Sequence, residues 1–231
     1  MKEKVFSTSD LIQQIRDYQK QHPILLEKSH HFVFDCPLNN DKKNCKPDYL
    51  FIGINPGDDT SDWSRTNNEN VEETRDSNFQ EDFGRSTNSK SRMTKLKNFL
   101  GEIGEDIFDK TTHTELFFWC SKDKDKDFIG RYGHSYESSP HLEFCIRLNK
   151  SLINRIEPKV IFLESHESMK YLRNYFHLNK LKVHQIGQRK VIEYLLEDKY
   201  LLINFDHQRF LSSRPEKGEI IEIIGDIIHR R

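Results

Sequence analysis

A short apolar run, Tyr49-Leu50-Phe51-Ile52, ends in Gly53-Ile54-Asn55-Pro56-Gly57. Two glycines and a proline around one asparagine make a rigid turn through which a backbone can approach a ligand closely, although the same residues also suit a plain strand-end turn. A second apolar run, Tyr200 to Phe205, opens into Asp206-His207-Gln208-Arg209-Phe210-Leu211-Ser212-Ser213-Arg214. A lone histidine is more often structural. Here it leads a loop that mixes cations and hydroxyls with two bulky apolar residues, which suits gripping phosphates and wedging into a base stack. The four cysteines are Cys36, Cys45, Cys120 and Cys145. In a reducing compartment they read as buried thiols or metal ligands rather than disulfides.

The elements that must position these residues follow from periodicity. At 231 residues the chain is expected to form one domain over residues 1–231. Leu11, Ile12, Ile15 and Tyr18 predict a helix over Ser9 to Gln21, with Ser9 as its N-cap. Strands are expected at Tyr49 to Ile52, Thr114 to Trp119, Lys159 to Leu163 and Tyr200 to Phe205. Helices are expected from about Arg92 to Ile103, Pro140 to Arg155, Ser165 or His166 to Phe176, and Glu216 to His229. Residues 36–48 read as polar loop, and 58–91 as a polar insertion or a binding loop. Alternating strands and helices predict an α/β fold of three αβα layers around a four-stranded parallel sheet, with chemistry at the strands' carboxyl ends.

Composition narrows the function classes. Apolar residues make up 35% and charged residues 32%, enough for one core under a heavily charged surface. The net charge of −1 argues mildly against a nucleic-acid partner, but a local basic rim would suffice. No apolar run is long enough to span a membrane, and the N-terminus lacks an apolar signal core. A cytoplasmic monomer is expected. Neither G-x-G-x-x-G nor a P-loop is present, which leaves a nucleotide-binding α/β protein without support.

Leu50-Phe51-Ile52-Gly53-Ile54-Asn55-Pro56-Gly57 and the His207 loop together resemble the two motifs of the uracil-DNA glycosylase superfamily, across about residues 45–214. The first is similar to that of its mismatch-specific and single-strand-selective branches. The resemblance implies that Asn55 positions the hydrolytic water, within a substrate-binding turn of Gly53, Ile54, Pro56 and Gly57. It implies that His207 donates a hydrogen bond to the departing base. The superfamily's second motif is typically His-Pro-Ser; Gln208-Arg209 departs from it. Gln208, Arg209, Phe210, Leu211, Ser212 and Arg214 would contact DNA. Phe83 lies where the superfamily stacks an aromatic on the flipped base, with Phe79 and Trp63 as competitors.

Thr114-Glu115-Leu116-Phe117-Phe118-Trp119-Cys120 resembles the strand on which the superfamily's iron–sulfur branch carries a base-reading Asn. Glu115 stands in its place. A carboxylate only accepts hydrogen bonds, which suits the amino group of a cytosine-type base and disfavours uracil; a surface or salt-bridged Glu is the alternative. The implied substrate is a modified cytosine, such as one found in invading rather than host DNA. Cys36, Cys45, Cys120 and Cys145 fall in the four zones where that branch holds a [4Fe–4S] cluster, zinc being the lesser option. A catalytically silent relative that binds nucleic acid or protein through the same cleft is the rival from another class.

Overall fold

The computed structural model describes residues 5–29, 31–54, 71–77, 89–104, 106–121, 126–206 and 215–230. In chain order these form α1 (Ser9–Gln21), α2 (Pro23–Lys28), β1 (His31–Val33), β2 (Cys36–Pro37), β3 (Tyr49–Gly53), β4 (Val71–Glu73) and α3 (Ser89–Ile103). There follow β5 (Thr111–Glu115), α4 (Lys126–Tyr132), α5 (Pro140–Ile156), β6 (Val160–Glu164) and α6 (Ser168–Leu172). The chain continues with β7 (Leu178–Ile186), β8 (Arg189–Leu196), β9 (Tyr200–Phe205) and α7 (Lys217–His229).

The fold is α/β, but the sheet is seven-stranded and mixed, in the order β2-β5-β3-β6-β9-β8-β7. This corrects the expected four-stranded parallel sheet. The strand pairs β5–β3, β3–β6 and β6–β9 are parallel. Outside them, β2 pairs antiparallel with β5, and the β7–β8 hairpin runs antiparallel onto β9. β1 and β4 form a separate parallel pair.

Alternation along the strands divides the core. Leu50, Ile52, Ile161, Leu163 and Leu202 face one side, where residues of α1, α2, α4, α5 and α6 complete a large cluster rich in aromatics. Phe51, Phe162, Ile203 and Phe205 face the other, under Phe99 and Leu100 of α3 and Ile220, Ile224 and Ile227 of α7. Two-faced burial explains why these strands read as continuous apolar runs. Among the described residues no helix is long and apolar enough to cross a membrane.

Several expected boundaries shift for identifiable reasons. The middle strand is Thr111–Glu115 rather than Thr114 to Trp119. Phe117, Phe118 and Trp119 lie beyond it, fully buried as space-filling rings of the larger core. The N-cap of α1 is Thr8, not Ser9, and its hydroxyl donates to the Asp35 carboxylate instead of capping the helix. The 36–48 loop contains β2 and a 3-10 turn, and the helix expected from Ser165 or His166 to Phe176 contracts to α6.

A buried ion pair ties the amino-terminal half together. Arg75 donates to both Asp35 oxygens at 2.8 and 2.9 Å, and to the carbonyls of Lys43 and Cys45. Thr112 of β5 donates to Asp35 at 2.7 Å.

His141, in the first turn of α5, is buried among Tyr18, His22, Trp119 and Tyr132, its Nδ1 3.0 Å from the Tyr18 hydroxyl. Burial, reinforced by the nearby His22 and His134 charges, lowers its pKa from 6.5 to about 4. Between those values the unfolded chain binds the proton and the folded chain does not, so stability is lost as pH falls through that window. Urea midpoints should drop from pH 7 to pH 5, and His141→Gln should drop less over the same interval; equal drops would remove His141 from the pH response.

Candidate functional site

Because β5, β3, β6 and β9 run parallel, their carboxyl ends share one sheet edge, where ligands gather in open α/β folds. Gly53 pairs with Glu115 in register. Ile52 pairs with Leu163, so Glu164 stands level with Gly53 on the other side, and Glu164 pairs in turn with Phe205. The result is a row of Glu115, Gly53, Glu164 and Phe205, with both carboxylates fully buried. Two strand spacings put the Glu115 and Glu164 backbones roughly 9.5 Å apart, with no side chain between them.

Gly53 is required here for space. A Cβ built on it would overlap the Glu115 carboxylate, approaching Cδ to 2.8 Å. Glu115 therefore leans across the glycine. Its Oε1 is 3.2 Å from Nε2 of His113, which shares its face of β5 and meets the Phe51 ring edge-on at 5.7 Å. An imidazole this close to a carboxylate removed from water can offset part of the desolvation cost by charge, although its Nε2 makes no hydrogen bond there.

Backbone bonds hold the start of the Gly53-Ile54 turn. Leu116 N donates to the Gly53 carbonyl at 2.9 Å, Phe117 N to the Ile54 carbonyl at 3.0 Å, and the Tyr136 hydroxyl to the same carbonyl at 2.9 Å. Asn149 of α5 donates to the Glu115 carbonyl at 2.9 Å and accepts from Thr114 at 3.1 Å. The strand end is thus fastened from three elements.

At the β6 and β9 ends the geometry is also specific. Ser165 takes a left-handed turn, φ 71°, and Asn204 donates to the carbonyls of Leu163 and Ser165. Its Oδ1 can only accept, so the His166 Nδ1 at 2.6 Å must carry a proton. The other ring nitrogen lies 3.6 Å from Asp206, which also binds Arg189 at 3.0 Å.

The structure brings Gly53, Ile54 and Glu115 together. Asn55, Pro56, Gly57, Phe83, His207, Gln208, Arg209, Phe210, Leu211, Ser212 and Arg214 lie outside the described residues, as do Phe79 and Trp63. Glu164, His113 and His166 had no expected role. The signal for Glu164 was a carboxylate closing the apolar run Val160-Ile161-Phe162-Leu163; for His113, its position two residues before Glu115.

The cysteines occupy unlike environments. Cys45 is exposed beside Arg75, whereas Cys36 is buried on β2. Cys120 has its sulfur 3.2 Å from the Ser29 hydroxyl. Cys145 sits in the larger apolar core, where burial raises its thiol pKa well above 9.0. Among the described residues no group of three or more His, Cys, Asp or Glu side chains stands ready to hold a metal. Searches against protein-family models and against the sequences of curated proteins return no match.

Two outcomes follow. Gly53→Ala should destabilise the protein by about 1–3 kcal/mol, the usual scale of overpacking, and should cost much less in a Glu115→Ala background; additive costs would show that the two positions are not in contact. If Cys36, Cys45, Cys120 and Cys145 hold a [4Fe–4S] cluster, anaerobically purified protein should be brown, with iron and sulfide at cluster stoichiometry; colourless protein whose four thiols all alkylate would remove the cluster.

Proposed function

We propose that this protein is a DNA glycosylase that flips a modified base from DNA and hydrolyses its N-glycosidic bond. The observation that carries the reading is the Glu115 carboxylate, fully buried and laid across Gly53 at the carboxyl edge of the parallel strands. The sequence resemblance assigns a base-reading side chain to this strand end. Two further facts support it. β3 leads into Asn55 and β9 leads toward His207 from that same sheet edge, and the backbone ahead of Asn55 is fastened to β5 and Tyr136.

The chemistry asked of these residues is limited. Bond cleavage develops positive charge on the sugar and negative charge on the base. A His207 donor at the base oxygen would contribute roughly 3 kcal/mol, the scale of one oxyanion-hole donor. Asn55 would hold the attacking water on the far side of the sugar. Glu115, its carboxylate oriented by His113, accepts from the amino group of a cytosine-type base and repels the carbonyl that uracil presents there. A buried carboxylate facing an acceptor costs a few kcal/mol, enough for a large preference.

Oligonucleotides carrying uracil, mismatched thymine or 5-substituted cytosine, assayed for abasic sites, test the proposal. Release is expected from the substituted cytosine, and Glu115→Asn should shift preference toward uracil. Asn55→Ala and His207→Ala should each lower single-turnover release by roughly 10²–10³-fold with DNA affinity nearly intact. Uracil release unchanged by Glu115→Asn would remove the edge-reading role; no release from any substrate would leave a silent DNA-binding module.

A further inference from the structure

We propose that a groove between α6 and the β7–β8 hairpin binds the sugar–phosphate backbone of DNA, guiding the strand along the sheet toward its carboxyl edge. The proposal deepens the reading above: it rests on DNA as the substrate, but not on base excision. The groove encloses about 220 Å³ and is lined by Lys170 and Arg173 on one wall and Lys180 and Lys190 on the other, with His166 and Asn204 at the end that joins the candidate site. Among the described residues its lining contains no carboxylate.

The charge concentration follows from register. Lys180 pairs with Tyr194, and Val183 with Ile192, which places these side chains on the α6 side of the sheet. Glu193, one residue along β8, points to the opposite face, where it meets His184 at 2.6 Å and Arg230 at 3.7 Å. The other acids nearby are engaged as well. Asp206 binds Arg189, Glu197 binds Lys150, and Asp198 accepts from Asn179. Lys170 has Glu167 at 3.6 Å, but Arg173, Lys180 and Lys190 form no ion pair among the described residues. All four cations are exposed. A chain with net charge −1 thus gathers four positive charges on facing walls, which is the electrostatic footprint of a polyanion site.

The groove also says how the strand is read. Tyr194 and Ile192 are buried in the floor and present no ring for stacking. Val183, 44% exposed, offers apolar contact to a sugar. Long cations without base-edge readers position a backbone and carry no sequence information.

The test is binding of a short, unmodified, fluorescent DNA duplex by the full chain, with affinity measured as a function of salt. Removing Arg173, Lys180 and Lys190 together by substitution to Ala should weaken binding and make the salt slope shallower by roughly 2–3, at about 0.9 per lost phosphate contact. A control removes equal charge from the opposite edge of the sheet, at Lys46, Lys159 and Lys199, whose partners are Glu157, Asp48 and Glu157. It should bind nearly as the wild type does. An unchanged slope in the groove variant, an equal loss in the control, or tighter binding of RNA of the same sequence would overturn the proposal. Base release is scored separately. If no substrate loses its base yet the groove variant alone loses affinity, the groove stands and the glycosylase reading fails.

Discussion

Asp35 and Arg75 bring opposite charges into a region closed to water, and each is satisfied there by several partners. The carboxylate accepts from Arg75, Thr8 and Thr112; the guanidinium also reaches two backbone carbonyls. Asp35 adopts a left-handed backbone, φ 47°, a conformation Asp tolerates better than most residues. The pair joins the start of α1, the middle of β5, the stretch before β3 and the segment after β4. Removing one partner would leave an uncompensated buried charge, which typically costs about 3–5 kcal/mol. The pair also anchors the segment that follows β4, where Arg16 binds Glu72 beside Arg75, while Gly53 and Ile54 at the end of β3 are held by β5 and Tyr136.

The second organising contact lies at the other end of β5. Sequence separates Gly53 and Glu115 by a long interval, yet they form one packing unit: the glycine exists to make room, and the carboxylate fills it. His113 and the Asn149–Thr114 bonds then fix the strand end on which that carboxylate rides. Glu164, level with it beyond the glycine, makes the row acidic on both sides.

The strands β3, β6 and β9 were legible because burial on both faces leaves apolar runs with little else to be. Helices α1, α5 and α7 were legible from their periodic apolar faces. The β7–β8 hairpin was not. Most of β7 is exposed, its alternation is masked by lysines, and its turn depends on Gly187 at φ 54°. The register of β5 misled for the opposite reason: Thr111-Thr112-His113-Thr114 is polar but buried, whereas the aromatic run after it belongs to the core without being strand. Within the site, the glycine turn and Glu115 could be read locally. That one fits against the other could not, because the contact depends on parallel pairing between distant segments. The Asp35–Arg75 pair was hidden for the same reason.

The two ends of the seven-stranded ladder bear on how the protein behaves when crowded. At one end β2 is only two residues long and includes Pro37, which has no amide hydrogen to donate. At the other, β7 carries Lys180 and Lys182 around a break in register, with Leu181 and Val183 exposed beside them. An open strand bearing exposed Leu and Val would otherwise template intermolecular pairing and fibril growth. Charge, irregularity and brevity are the usual protections against it. The lysines that arm the hairpin thus also keep it from being copied by a neighbour, so neutralising them would trade colloidal solubility for edge-to-edge self-association.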